Sequence, residues 1–257
     1  MLKFFFFILI AILFSCSKYQ KLLKSDDLQL KKEKAFEYYE KGDYYRAIQL
    51  LEGLVIAFRG TSQSEKIYYY YGYAHYNMGD YLLAAYHFKN LAQTLPNSQY
   101  AEESLFMSAY CKYLYSPDYF LDQTNTTQAI KEFQFFINRY PLSDTVSKCN
   151  EYIDEMRNKL ELKSFERAGL YFKMEEFKAA ITSFNNHLKE YPGSKFTEEA
   201  LFFILKSWFL YAQGSALAKQ DERYEKSTEA YYIFIERFPN TKYESEANMM
   251  LKRAQKH

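Results

Sequence analysis

Four of the five prolines in this 257-residue chain fall at nearly regular intervals, and this spacing limits the possible folds more than any other feature. Pro96, Pro141, Pro192 and Pro239 are separated by 45, 51 and 47 residues. Proline lacks a backbone N–H and pushes the preceding residue out of helical geometry, so each one ends a helix. The runs between the prolines are rich in Leu, Ala, Glu and Lys, which predicts an all-α chain built from repeats.

Residues at fixed distances from each proline agree in chemical type. Eight positions before the prolines stand aromatic residues, namely Phe88, Phe133, Phe184 and Tyr231. Twelve positions before stand small residues, namely Ala84, Ala129, Ala180 and Ser227. A spacing of four puts both types on one helical face, where the small residue lets a second helix approach closely. Two positions after the prolines stand Ser98, Ser143, Ser194 and Thr241, which we predict to be the N-caps of the next helices.

Residues 65–98 resemble one tetratricopeptide repeat, a helix–turn–helix unit of 34 residues. A shift of 37 residues finds a first unit around Gly42, in which Arg59 replaces the proline. The third and fifth units contain insertions at 116–126 and 214–226, which we predict to be loops. The resemblance implies an all-α, right-handed superhelical solenoid of about five repeats and about eleven helices. Residues 243–256 would form a capping helix.

The N-terminus carries the signature of a bacterial lipoprotein. An apolar run at 4–14 is too short to span a bilayer and is typical of a signal peptide. "LFSC" at 13–16 resembles a lipobox, in which Cys16 becomes the lipidated first residue of the mature protein. An ordinary secretory signal is the alternative. The residue after Cys16 is serine rather than aspartate, and no acidic cluster follows, which favours an outer-membrane anchor facing the periplasm.

The predicted division of the chain follows from these signals and has four parts. A lipoprotein signal peptide occupies 1–15, and a lipidated tether occupies 16–27. Repeats one to three occupy 28–144. Repeats four and five, with the capping helix, occupy 145–257.

Charge and motifs give no sign of nucleic-acid binding or catalysis. The 33 basic and 32 acidic residues are interspersed and leave a net charge of +1, so no nucleic-acid footprint is present. The sequence lacks HExxH, paired CxxC, GxGxxG, P-loop and GxSxG motifs, and we predict no catalytic residue, metal or cofactor. His75, His87 and His187 fall inside predicted helices without a second histidine three or four residues away, and we expect them on helix surfaces or in a groove.

Two cysteines remain after the signal peptide is removed. Cys111 and Cys149 stand where parallel repeats hold serine or alanine, so both occupy packing positions on first helices. Their registers differ by seven residues, an offset of about 10 Å along parallel helices. A disulfide does not tolerate that separation, so packed free thiols are predicted.

The run "IYYYYGYAHY" at 67–76 is the best candidate for a binding surface. Tyr69, Tyr73 and Tyr76 recur at spacings of four and three, so they share one stripe of a first helix. Phe36 and Tyr39 would extend that stripe into the first repeat. Such a groove could hold a peptide through aromatic contacts. Packing between helices is the alternative reading of the same residues.

Nearly the whole mature chain resembles the BamD family, the lipoproteins of the outer-membrane β-barrel assembly machinery. The resemblance includes "AFEYYEKGDYYRAIQLLEGL" (35–54), "YGYAHYNMGDYLLAAYHF" (71–88), the lengthened third repeat, the "RYPLS" boundary and the long segment 152–181. It implies a scaffold rather than an enzyme. N-terminal repeats would receive the C-terminal targeting strand of unfolded outer-membrane proteins, with Tyr69, Tyr73 and Tyr76 in the receiving groove. Repeats four and five, roughly 145–242, would bind the periplasmic domains of the barrel-forming subunit.

Three other functions deserve comparison with this one. A periplasmic tetratricopeptide adaptor for cell division or peptidoglycan synthesis usually has no lipid anchor, and Cys16 argues against it. An enzyme or regulator of cell-wall hydrolysis would need a catalytic segment, for which no stretch of the chain is left over. A helical-repeat lipoprotein that captures glycans would normally expose several tryptophans, whereas this chain has only Trp208.

Overall fold

The computed structural model describes residues 18–256, and in that range the regular secondary structure is helical throughout. A short helical segment at 18–23 precedes eleven longer helices. These are α1 (Leu28–Glu40), α2 (Tyr44–Ala57), α3 (Ser64–Asn77), α4 (Tyr81–Thr94), α5 (Ala101–Leu114), α6 (Thr124–Arg139), α7 (Val146–Lys173), α8 (Phe177–Glu190), α9 (Thr197–Gln213), α10 (Leu217–Arg237) and α11 (Glu244–Ala254). The predicted all-α class is confirmed.

The chain divides into two compact units. The first unit contains the described residues up to Pro117 together with Asp122–Met156. The second contains Asp118–Leu121 and the described residues from Arg157 onward, so α7 contributes to both units. Helices pack mainly on their neighbours in sequence, as α1 does on α2, α3 on α4 and α9 on α10. First helices also meet directly, α1 with α3 and α9 with α11.

The residues that precede each proline form the cores of the helical pairs. Phe88, Phe133 and Phe184 have no solvent exposure, and Tyr231 retains only 9%. The small residues four positions earlier are equally buried, which allows the close helix contact that the pattern predicted. Burying a phenylalanine side chain stabilises the fold by roughly 1.5–3 kcal/mol. The aromatic and small residues that recur before the prolines are therefore core residues of the helical pairs.

The turns inside the repeats need a residue in the left-handed backbone region. Gly42 and Gly79 supply it between the helices of the first and second repeats, with φ of 75° and 80°. In the fourth repeat, Glu175 adopts the same conformation with φ of 60°. In all three turns the next residue donates its N–H to a carbonyl five residues back, as Glu176 N does to Tyr171 O at 3.0 Å. A non-glycine residue in this region is strained, because its Cβ approaches the backbone.

The hydroxyl residues after the prolines cap a turn and not the helices themselves, so the predicted N-caps are wrong in position. Each hydroxyl accepts the backbone N–H of the residue two positions on, as Ser194 Oγ does from Phe196 N at 3.0 Å. The same bond occurs at Ser98, Ser143 and Thr241. The helices begin three residues after the hydroxyl, because one tight turn comes first. The N–H of the residue that opens each helix bonds to the carbonyl of the hydroxyl residue.

The two insertions behave differently. The first, predicted as a loop over 116–126, is a loop as far as Gln123, since α5 ends at Leu114 and α6 begins at Thr124. The second was predicted as a loop over 214–226, but residues from Leu217 onward are helical and lengthen α10 at its N-terminus. The sequence there, "LAKQDERYEK", consists largely of good helix formers, so local propensity decides its structure.

Cys111 and Cys149 are both buried and not bridged, which confirms the predicted free thiols. Burial raises the pKa of the Cys111 thiol to about 12 and that of Cys149 to about 11. A thiol with so high a pKa stays protonated at neutral pH and reacts slowly. Both side chains therefore serve as packing groups.

Candidate functional site

The five aromatic residues singled out in the sequence lie along neighbouring helices of the first unit. Phe36 and Tyr39 lie on α1, and Tyr69, Tyr73 and Tyr76 lie on α3. Tyr70 of α3 joins the two groups, because its ring centroid lies 4.8 Å from that of Phe36, 4.7 Å from that of Tyr39 and 6.0 Å from that of Tyr69. All of these side chains are partly exposed.

The row of rings extends further than the sequence reasoning found. Tyr76 approaches Tyr110 of α5 with a centroid distance of 6.4 Å, and Tyr110 lies 5.9 Å from Tyr113. Tyr113 in turn contacts Tyr152 of α7 at 4.5 Å. We call this continuous row the aromatic band, and its members are Phe36, Tyr39, Tyr69, Tyr70, Tyr73, Tyr76, Tyr110, Tyr113 and Tyr152.

A periodic signal for the missed residues was present in the sequence. Phe36, Tyr73 and Tyr110 are separated by 37 residues each. Tyr39, Tyr76 and Tyr113 repeat the same interval three positions later. The shift that identified the first repeat thus also predicts Tyr110 and Tyr113. Tyr152 does not follow the interval, since the third repeat contains the loop insertion.

Carboxylates of neighbouring first helices accept hydrogen bonds from the band. Glu103 of α5 accepts from the Tyr73 hydroxyl at 2.5 Å and from the Tyr69 hydroxyl at 2.9 Å. Glu155 of α7 accepts from the Tyr113 hydroxyl at 2.7 Å. Each bond joins one first helix to the next. These three hydroxyls are therefore committed to the scaffold.

Tyr39 and Tyr73 of the band remain neutral over the physiological pH range. Burial raises the pKa of Tyr73 well above its usual range, and its hydrogen bond to the Glu103 carboxylate raises it further. Burial likewise raises the pKa of Tyr39 to about 12. A neutral phenol beside a carboxylate keeps its proton to hold the bond. The band thus offers apolar rings with fixed hydroxyls, which suits contact with apolar or aromatic side chains of a peptide.

Other residues of the same run support the band from beneath. Tyr68 and Tyr71 are buried, as is Ala74, so only one face of α3 forms the band. Gly72 permits the contact with α4, because a Cβ at this position would lie 2.8 Å from the Phe88 ring. Packing against Phe88 therefore requires a glycine at this position.

The histidines were expected on helix surfaces or in a groove, and for two of them this is wrong. His75 and His187 are buried, and His75 stacks on the partly buried His87 with a centroid distance of 5.1 Å. Burial lowers the pKa of His75 and His187, and it lowers the pKa of His87 to about 4. All three are therefore neutral packing groups near pH 7. The Tyr71 ring packs against both members of the first pair, with centroid distances of 4.7 Å to His75 and 4.3 Å to His87.

Two further observations limit what the described residues can do. Between residues 18 and 256, no three His, Cys, Asp or Glu side chains gather as they would around a metal ion. In the same range, no helix is both long enough and apolar enough to cross a bilayer. The predicted lipidation site, Cys16, and the signal peptide 1–15 lie outside the described residues.

The segment assigned to the tether includes one buried side chain. Tyr19 is 7% exposed, and its hydroxyl donates a hydrogen bond to the Arg46 carbonyl at 3.0 Å. Its ring contacts that of Tyr38 at 5.5 Å. The described part of this segment is thus fastened to the first repeat only three residues after Cys16.

Sequentially packed helical pairs, with prolines between them and glycine turns within the first two, define a helical-repeat protein of the tetratricopeptide type. The sequence model described as "YfiO: Outer membrane lipoprotein" matches residues 29–211, and the chain belongs to this family. The resemblance to the BamD lipoproteins is thereby confirmed.

The chain was also compared with curated protein sequences and with solved structures. None of the curated protein sequences matches this chain. Among solved structures, the chain is similar to a TPR repeats protein from Bacteroides fragilis NCTC 9343, with 15% identity and a TM-score of 0.40. That match covers 90% of this chain and 99% of the other.

Proposed function

We propose that this protein is a non-catalytic scaffold of the outer-membrane β-barrel assembly complex. In this role it holds unfolded outer-membrane protein clients on the first unit and the barrel-forming subunit on the second. The observation that carries the proposal is the aromatic band, in a chain that belongs to a family of outer membrane lipoproteins.

The band suits a client segment that arrives unfolded. Its rings run without interruption from α1 to α7, so an extended strand or a short helix could place several apolar side chains on it. Three of its hydroxyls, those of Tyr69, Tyr73 and Tyr113, already bond to Glu103 or Glu155 and need no rearrangement on binding. A surface fixed in advance costs less entropy when it binds a flexible partner.

The remaining parts of the proposal concern position and partners. Cys16 carries the lipid that anchors the chain in the outer membrane, and the repeats face the periplasm. Roughly residues 145–242 dock the periplasmic domains of the barrel-forming subunit. The family is one of tetratricopeptide scaffold lipoproteins, which supports a role in binding rather than in catalysis.

Site-specific photo-crosslinking in living cells tests the client site. A photoreactive phenylalanine analogue replaces Tyr76, which lies in the band, and in a matched strain it replaces Tyr86, which is 63% exposed on α4 outside the band. We expect crosslinks from position 76 to newly made outer-membrane proteins. Position 86 should give at least tenfold less of these products.

Co-purification of the tagged, lipidated protein in mild detergent tests the complex. A barrel protein with periplasmic repeat domains should be recovered in about equal amount. Recovery of peptidoglycan synthases or division proteins in its place would overturn the proposal, as would equal client crosslinking from positions 76 and 86.

A further inference from the structure

The second unit contains a pocket between the loop insertion and the C-terminal half of α7. We call it the insertion pocket. It encloses about 350 Å³. Its lining consists of Tyr119, Phe120, Lys163, Glu166, Arg167, Leu170 and Lys173. Every lining residue belongs to the second unit, and none belongs to the aromatic band.

One lysine fixes the wall of this pocket. Lys163 Nζ donates a hydrogen bond to the Leu121 carbonyl at 2.6 Å and a longer one to the Phe120 carbonyl at 3.4 Å. The loop insertion is thereby held on α7, and the Phe120 ring lies 5.7 Å from that of Tyr119. The pocket is preformed, which lowers the cost of binding.

The pocket presents apolar surface that the second unit leaves exposed. Phe120 is 65% exposed and Leu170 is 55% exposed. Met174, which follows the lining residue Lys173 in the sequence, is 60% exposed. Large apolar side chains gathered at one preformed pocket mark interaction sites, whereas single exposed ones are ordinary. A volume of this size accommodates one large side chain of a partner together with part of its backbone.

The charges of the lining select the partner. Three basic residues and one acidic residue, Glu166, leave a net charge of +2. Arg167 and Lys173 are exposed, and Arg167 can bind a carboxylate through two parallel hydrogen bonds. A partner segment that fills the apolar pocket must therefore present carboxylates beside its apolar side chain.

We propose that the insertion pocket is a second docking site, which binds a short acidic segment of a partner protein with one large apolar side chain at its centre. The apolar side chain lies on Phe120 and Leu170, and flanking carboxylates pair with Arg167 and Lys173. The site shares no residue with the band and so does not depend on the client-binding role proposed for it. Its residues on α7 fall within the range 145–242 proposed above to dock the barrel-forming subunit, but the inference rests on the pocket alone and not on that role.

Fluorescence anisotropy with the full-length lipoprotein in detergent provides the test. The probe is a labelled pentapeptide, Asp-Glu-Phe-Glu-Asp, and its two controls replace Phe by Gly or all four acids by Lys. We expect saturable binding of the probe that weakens at least tenfold in each control peptide. Raising NaCl from about 50 mM to about 500 mM should also weaken it, because screening shortens the reach of the exposed charges.

Paired variants localise the binding. Arg167→Glu and Leu170→Asp should each weaken binding of the probe at least tenfold. Their matched controls are Lys178→Glu, an exposed charge on α8, and Ile233→Asp, which is 56% exposed on α10. Far-UV circular dichroism and thermal unfolding confirm that all four variants are folded.

Several outcomes would overturn the proposal. These are the absence of saturable binding to the folded wild-type protein, equal binding of the peptide with Gly in place of Phe, and an equal loss of affinity in the control variants. Client crosslinking at position 76 is measured separately, so failure of one site does not imply failure of the other.

Discussion

The same pair of positions joins neighbouring first helices in both units, but the two units use different chemistry there. In the first unit the Tyr73 hydroxyl donates to the Glu103 carboxylate at 2.5 Å. In the second, Lys206 Nζ forms an ion pair with the Glu246 carboxylate at 2.8 Å. Glu103 and Glu246 each stand seven residues after a proline. Tyr110 is the counterpart of Tyr73 in the third repeat, and Lys206 stands at the same distance after its proline as Tyr110 does.

A third version of this contact occurs between the first two repeats. Phe36 and Lys66 stand 37 residues before Tyr73 and Glu103, and the Lys66 ammonium lies 5.1 Å from the centroid of the Phe36 ring. Neighbouring first helices are thus joined by three different interactions: a cation over a ring, a phenol with a carboxylate, and an ion pair. The repeat therefore fixes where two first helices touch, but not which side-chain interaction joins them.

The difference has a functional consequence. Where the donor is a neutral tyrosine, the helix contact itself supplies an apolar ring to the surface, and a row of such contacts becomes the aromatic band. Where the donor is a lysine, its ammonium group pairs with the carboxylate and also lies 5.8 Å from the ring centroids of Phe172 and Phe202. Among residues 18–256, only the first unit presents a continuous row of tyrosines.

The largest expected difference between the units is in how much stability each loses at acidic pH. Burial lowers the pKa of His75 and His87 against the opposing effect of the Asp80 and Glu52 carboxylates on His75. The folded state therefore binds fewer protons than the unfolded chain, and stability is full above about pH 6.5 and falls as the pH drops toward 4. After allowance for solvent screening, we expect His87 to account for a loss of about 2 kcal/mol over this range.

Urea unfolding at pH 7, 5.5 and 4.5 measures this loss in the wild type and in His87→Leu. The variant should lose correspondingly less free energy of unfolding on acidification. His187→Leu in the second unit should change the pH dependence less, because the Glu161 and Glu190 carboxylates oppose the effect of burial there. An identical pH dependence in the wild type and His87→Leu would contradict the prediction.

Double-mutant cycles sharpen the comparison of the two helix contacts. The cycle of Tyr73→Phe with Glu103→Gln should give a coupling energy of about 1 kcal/mol, since a hydrogen bond from the partly buried Tyr73 to the exposed Glu103 carboxylate is lost. The cycle of Lys206→Met with Glu246→Gln should give about 0.5 kcal/mol, since that ion pair is partly exposed.

Salt should affect the coupling energies of these two contacts differently. Unfolding in about 1 M NaCl should remove most of the Lys206–Glu246 coupling and leave the Tyr73–Glu103 coupling largely intact, because screening acts mainly between two opposite exposed charges. Equal salt sensitivity of the two cycles would show that the contacts do not differ as described.

The smallest expected effect is at the turns inside the repeats. Glu175→Gly should raise the free energy of unfolding by about 0.5 kcal/mol, because glycine adopts a positive φ without a Cβ conflict. Gly79→Ala should lower it by about 1 kcal/mol for the same reason. Thermal unfolding of both variants measures the effects, and a loss of stability in Glu175→Gly would sink this account of the turn.

The sequence predicted those parts of the fold that depend on local chemistry or on the repeat. Prolines and the aromatic and small residues before them identified the helical pairs and their cores, and the register offset identified Cys111 and Cys149 as free thiols. The N-caps were misplaced because one extra turn separates each hydroxyl from its helix. The insertion at 214–226 was misread because its helical propensity outweighs its position between two helices.

The candidate site was only partly predictable for a related reason. Tyr69, Tyr73 and Tyr76 share a stripe that can be read from spacing alone. Their connection to Tyr110 and Tyr152 depends on how neighbouring first helices pack. The buried positions of His75 and His187 depend on that packing too, since no local pattern distinguishes a buried histidine from an exposed one.

The amino-acid sequence by itself determined an all-helical repeat protein and its family, because helix formation, termination and pairing follow from residues close together in the chain. Only the tertiary structure decided that Glu103 receives the hydroxyls of Tyr69 and Tyr73, from residues 34 and 30 positions earlier. A hydrogen bond of that kind requires two helices at a fixed distance and rotation. The packing of their buried faces sets both.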